Sequence, residues 1–220
     1  MINIVLEHQQ EIIKALNESL ILIGIPLIAS IAIGLPLGTL IYLTRKGGLK
    51  PNKYIFGLSN LYVNIVRSVP FLIFVVAIRP LTILVMGKFL GTIPATLPLS
   101  LIAIALYARY VEATLLAIPD QIVNTAQSLG ATLPQILWHF LYLEGRSSLI
   151  LGLTSSTISV ISYSTVMGVV GGGGIGDFAM RYGYQAFNYP LMYTIVIIIF
   201  ILVQIIQYIG ATLATYLDKS

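Results

Sequence analysis

The chain is 220 residues long, 57% hydrophobic and only 9% charged, with a mean hydropathy of +0.94 and a net charge of +4. A soluble domain carries roughly 25% charged residues, so this composition excludes an ordinary soluble fold; with several long, continuous apolar runs it indicates an all-α polytopic membrane protein, not an alternating β-barrel. The absence of cysteine excludes disulfides, thiolate metal sites and cysteine nucleophiles, and the scattered basic residues read as topology signals in a lipid bilayer, with no nucleic-acid footprint.

Residues 1–19 carry Glu7, Glu11 and Glu18 against Lys14 alone, the wrong charge for a signal peptide. They read as a short amphipathic helix on the outer surface, ahead of one transmembrane domain, 20–214. Its first span, about 20–43, holds Gly34 and Gly38, a small-xxx-small pair suited to close helix contact. The following loop carries Arg45, Lys46, Lys50 and Lys53 and no acid, so the positive-inside rule puts it in the cytoplasm and the N-terminus outside. Span two, about 55–78, contains Arg67-Ser68-Val69-Pro70. A cation within a span is costly and should face protein or water, and Pro70 should bend or break the helix. Residues 79–92 read as an external connection able to dip back into the membrane.

Span three covers about 93–110, and a cytoplasmic segment, 111–148, leads to span four, about 149–170. Span four is rich in hydroxyls: Thr154, Ser155, Ser156, Thr157, Ser159, Ser162, Ser164 and Thr165. Such groups serve helix packing or a wet pathway; Ser159, Ser162 and Ser164, with Tyr163 and Met167, are the pathway candidates. An external loop, 171–190, carries a glycine run that ends in Asp177 and Arg181. Span five, about 191–214, brings the tail to the cytoplasm.

Several chemistries are missing. The match of Gly171, Gly173 and Gly176 to G-x-G-x-x-G lacks the βαβ context of a dinucleotide site. Gly174-Ile175-Gly176-Asp177 spells an intramembrane aspartyl-protease motif, but no second aspartate lies in a span. There is no nucleophile elbow, no metal-ligand cluster and no P-loop. If ATP drives this protein, another chain must bind it. Acidic residues deep in the spans, usual in proton-coupled carriers, are also missing. Five spans are few to enclose a substrate path, so a symmetric dimer is expected.

The stretch from Asn124 to Leu149 is too apolar and too patterned for a solvated linker. Residues 122–129 can form one helix, Gly130 allows the positive φ of a helix end, and Thr132 and Pro134 restart a second helix with an apolar face of Ile136, Leu137, Phe140 and Leu141. A small-cornered helix–turn–helix of this kind suits docking into a partner's groove.

The run Asn124-Thr125-Ala126-Gln127-Ser128-Leu129-Gly130-Ala131-Thr132 resembles the EAA loop of bacterial ABC importer permeases. Asn64 to Phe71 (NIVRSVPF) is similar to the second-span signature of amino-acid permeases. Tyr163-Ser164, the glycine run and Tyr182-Gly183-Tyr184 most resemble the methionine-importer permeases. Asn124 and Thr125 stand where the family has Glu and Ala, and Leu143 where it has proline. The resemblance implies a five-span, multi-pass cell-membrane permease that forms a homodimer. It also implies two ATPase subunits carrying ATP and magnesium, and an external substrate-binding lipoprotein. It assigns ATPase coupling to Ala126, Ser128, Gly130, Ala131, Thr132, Leu133, Gln135 and Ile136, and an external gate or binding-protein contact to Gly173, Gly174, Asp177, Arg181 and Tyr182. The expected substrate is an amino acid, methionine first, with another small amino acid or a dipeptide as alternatives. A secondary carrier working without ATP, and a membrane enzyme, are the rival classes.

Overall fold

Long apolar runs set the lengths of the helices, even where a proline falls inside one. The computed structural model describes residues 8–218; Met1 to Glu7, part of the expected N-terminal segment, and Lys219 and Ser220 lie outside the described residues. Helix α1, Gln9–Thr44, carries Pro26 within it and one wide π turn at Ser30–Gly34. The expected separate surface helix is therefore corrected: residues 9–19 run into the first span without a break. Ile12, Ala15, Ser19 and Leu22 form a buried stripe at helical spacing, so this part of α1 is packed along the same side as the span.

Helix α2, Lys53–Ser68, starts at Asn52, whose Oδ1 accepts from the N–H groups of Tyr54 and Ile55, both at 3.1 Å. Val69 is extended and Pro70 follows, and α3, Phe71–Ala77, leaves at 114° to α2. The second apolar run is thus a bent pair, as Pro70 leads one to expect. Helix α4, Arg79–Met86, makes up much of the connection expected over 79–92, and it leaves Leu84 and Val85 exposed.

Helix α5, Thr92–Ala117, is the hub, packed against α1, α2, α4 and α8. It outruns the expected 93–110 because no breaker occurs between Tyr110 and Pro119. Two short helices follow, α6 (Asp120–Ser128) and α7 (133–144), the latter widened to a π turn over Ile136–Leu141. Helix α8 is Arg146–Val169, α9 (174–185) occupies the expected external loop, and α10 is Tyr189–Leu217. Among the described residues α1, α5, α8 and α10 are long and apolar enough to cross a membrane, and α2 with α3 makes a fifth crossing if the bent pair is counted as one.

Lipid tails are as apolar as leucine, so close packing and hydrogen bonds hold these helices together more than burial does. Gly38 shows it: a Cβ there would lie 2.3 Å from the carbonyl oxygen of Ala108, so only glycine lets α1 and α5 touch backbone to backbone. Two apolar clusters are built on α5, a middle one including Leu22, Val63, Phe74 and Leu99 and one at the Gly130 end, and a third, at the glycine-run end, joins α1, α9 and α10.

Candidate functional site: a projecting corner, a clasped loop and a polar wall

At one end α6 stops in a full backbone closure. Gly130 has φ +74, its N–H donates to Gln127 O at 2.9 Å, and the Ala131 N–H donates to Ala126 O at 3.0 Å. Helix α7 is started by Gln135, whose Oε1 accepts from the N–H and the hydroxyl of Thr132 at 2.8 and 2.9 Å. Both halves of the turn are thus self-capped and stiff. Its base is buried: Val123, Ala126, Ile136 and Leu141 pack with Leu115 of α5, Ile118 just beyond it and Tyr42 of α1. The Thr39 and Tyr142 hydroxyls, 2.7 Å apart, add a tie from α7 to α1.

The eight sequence-derived coupling residues therefore divide. Ser128, Gly130, Thr132 and Gln135 are exposed, and Ala131 and Leu133 are half-buried. Ala126 and Ile136 face the chain's own core and hold the corner in place. Sequence reading passed over Leu129 and Trp138, which are 74% and 66% exposed on the same corner. An apolar residue at a glycine-capped corner was the available signal. Beside the corner a polar hollow of about 370 Å³ is lined by Arg45, Asp120, Asn124 and Gln127.

At the opposite end the glycine run is held, not loose. Gly173 and Gly174 have φ +77 and +82, and the first N–H groups of α9 point at α1. Glu18 accepts from the Gly174 N–H and Ser19 Oγ from the Ile175 N–H, both at 2.8 Å. These contacts join residues 156 positions apart, which is why local pattern could not find them. Asp177 pairs with Arg181, and Tyr182 is exposed beside Phe178 and His8. Of the five residues assigned to an external gate, Gly174 is buried, Gly173 and Asp177 are half-buried, and Arg181 and Tyr182 are exposed. Phe187, unremarked in the sequence, is 77% exposed with φ +54, unusual for a residue with a bulky side chain.

The hydroxyls of α8 do not form one face. Ser164 and Met167 are buried inside the protomer, Ser159 and Tyr163 are half-buried, and Ser162 is exposed. Ser159 donates to Ser155 O, Ser162 to Ile158 O and Ser164 to Ile161 O, so each proton returns to its own helix. Tyr163 stacks on Phe71 at 4.6 Å between ring centres. A mainly apolar cavity of about 440 Å³ runs between α8, α9 and α10, with Ser162, Thr165, Met180 and Met192 in its lining.

A more connected polar network lies between α2 and α5, and sequence reading did not assemble it. Arg109 donates to Glu112 at 2.5 Å, to Asn64 Oδ1 at 2.7 Å and to Asn60 Oδ1 at 3.2 Å. Glu112 is almost fully buried, so the pair is worth keeping only because these amides complete it. The spacing of Asn60 and Asn64 inside an apolar span was the signal. Among the described residues no group of three or more His, Asp or Glu side chains is placed to hold a metal ion.

Residues 19–220 match the family model described as binding-protein-dependent transport system inner membrane component. The chain is 40% identical over 207 residues to a probable D-methionine transport system permease protein of Vibrio cholerae, covering 94% of this chain and 92% of that one. It is 36% identical over 181 residues to the methionine import system permease protein of Bacillus subtilis, covering 82% and 81%. Among solved structures, an inward-facing MetNI methionine ABC transporter superposes with a TM-score of 0.93 at 32% identity, covering 97% of this chain and 99% of that one. A chain from an amino acid ABC transporter shares the fold, with a TM-score of 0.80 at 16% identity.

Proposed function

The chain belongs to the family of binding-protein-dependent transport system inner membrane components, and we propose that it is the permease subunit of an ABC importer for methionine. The observation that carries this reading is the near end-to-end overlap with the methionine transporter, 97% of this chain at 32% identity. The relatives named for D-methionine and for methionine import support the substrate class.

In this reading the chain works as a homodimer with two ATPase subunits. ATP and magnesium bind those subunits, and this chain carries no covalent chemistry. The four-cation loop, by the positive-inside rule, supports a cytoplasmic Gly130 corner and an external glycine-run end. Closure of the ATPase dimer presses on the exposed Gly130, Leu129 and Trp138. The stiff caps prevent the turn from absorbing the push. The contacts of Ile136 and Leu141 with α5, and of Tyr142 with Thr39, carry it into α5 and α1. A packed bundle responds by rocking between two arrangements, not by bending continuously. At the other end Arg181, Tyr182 and Phe187 present the exposed surface for the binding lipoprotein.

The test is uptake of labelled methionine by cells lacking their own methionine importers and supplied with this chain, its ATPase and its binding protein. Uptake that disappears when the ATPase P-loop lysine is replaced is the expected result. Uptake that persists without the ATPase would instead make the chain a secondary carrier.

A further inference from the structure

A polar stripe on α2 ends in a cation that none of the described residues neutralises. Asn60, Asn64 and Arg67 recur at spacings of four and three residues, so at about 100° per residue they share one flank of the helix. Ser59, Val63 and Val66 form the buried flank, while Leu58, Leu61 and Ile65 form an exposed apolar one. The stripe thus belongs neither to the core nor to the lipid-facing side. Its inner members are engaged by Arg109, whose charge Glu112 balances.

Arg67 differs. The sequence has six arginines: Arg45 lies over Tyr42, Arg79 over Phe89, Arg109 and Arg181 pair with acids, and Arg146 donates to Leu217 O at 2.6 Å. Among the described residues Arg67 is exposed and has no such partner. An arginine facing lipid at the middle of a span costs about 3 kcal/mol. It also stands directly before the break at Val69 and Pro70. Irregular backbone at membrane depth is tolerated only where it is buried in protein or lines a water-filled cavity. The free charge therefore calls for a wet space, and the broken helix beside it is compatible with one.

We propose that Arg67 lines the translocation path and recognises the carboxylate of the amino-acid substrate, an assignment that rests on the importer reading above. A guanidinium meets a carboxylate with paired, charge-assisted hydrogen bonds. Arg109, which engages the inner part of the stripe, cannot supply this because Glu112 has already neutralised it. Ser159, Ser162 and Ser164 cannot, because their protons are committed to α8 carbonyls. Each protomer then offers one net positive charge on the path, enough to draw a carboxylate in and too little to trap it.

The chain has no cysteine, so Arg67→Cys places a single thiol in each permease protomer. In proteoliposomes with the ATPase and the methionine-loaded binding protein, R67C should lower methionine uptake about tenfold, the worth of one charge-assisted hydrogen bond. Aminoethyl methanethiosulfonate, which restores a cation, should bring uptake back. The sulfonatoethyl reagent, which adds an anion, should not. Ile65→Cys, on the apolar flank, should react with neither. Wild-type uptake by R67C, recovery with both reagents, or a thiol that neither reagent reaches would overturn the assignment. Should R67C fail to insert, R67K and R67Q carry the test: greater uptake by R67K is expected, and equal uptake overturns it. Failure of the importer reading would appear separately, as no ATP-driven methionine uptake by the wild-type chain.

Discussion

The two ends of the molecule are both built on glycine turns that start a short helix, and they are built oppositely. At Gly130 a Cβ would meet nothing within 4 Å, and the turn projects on two self-made caps. At the glycine run the turn is capped by another helix, through Glu18 and Ser19, and a Cβ on Gly176 would lie 2.4 Å from the Thr165 Cα. One turn leaves its corner open on the surface. The other is shaped to be gripped by its own chain. Glycine content alone therefore says little; what the absent side chain makes room for decides the role.

That contrast can be broken in order of effect. The largest change is expected from Gly130→Trp, which should abolish binding-protein-stimulated ATP hydrolysis in the assembled transporter while costing only ~1–2 kcal/mol for the left-handed backbone. Normal stimulation would mean the corner is not the contact. Next, Gly176→Ala should destabilise the fold by about 3 kcal/mol, because the new methyl meets α8 backbone and not a flexible side chain. At about 2–4 °C per kcal/mol for a chain of this size, heating the purified protein would show it as a drop of several degrees. Glu18→Ala should cost about 2 kcal/mol by stranding the Gly174 N–H, and amide exchange should quicken at 173–178 but not at 130–135. Gln135→Ala, which removes only the cap of α7, should cost about 1 kcal/mol. The smallest effect is expected of Gly130→Asn, about 0.5 kcal/mol in the same melting experiment, since asparagine tolerates a positive φ.

The sequence was most legible where the physics is local. The left-handed Gly130, the cap at Thr132 and the break at Pro70 each depend on a few neighbouring residues, and each is present. That Gly34 and Gly38 make a close helix contact was also readable, because small residues spaced by four suit close approach in a membrane helix; that the partner is α5 was not. Contacts between distant residues were not readable. Glu18 read as surface charge, yet it accepts from the Gly174 N–H, and no local pattern around Arg109 shows that α2 brings Asn60 and Asn64 alongside it. The hydroxyls of α8 misled in the opposite direction. Their density suggested one wet face, but serine and threonine in a helix can return their protons to the preceding turn, and Ser159, Ser162 and Ser164 do so while pointing to different sides.

The wide turn at Ser30–Gly34 fixes the phase between the two halves of α1. Above it, Ile12, Ser19 and Leu22 must face α9 and its neighbours; below it, Gly38 must face Ala108. Deleting one residue there would leave an unbroken helix and still rotate one half against the other by about 100°. Either the clasp on Gly174 or the seat on α5 would then point into lipid. The first span can therefore diverge freely in its lipid-facing side chains while its length stays frozen, so that insertions and deletions among descendants of this gene should collect in the loops and spare residues 18–38.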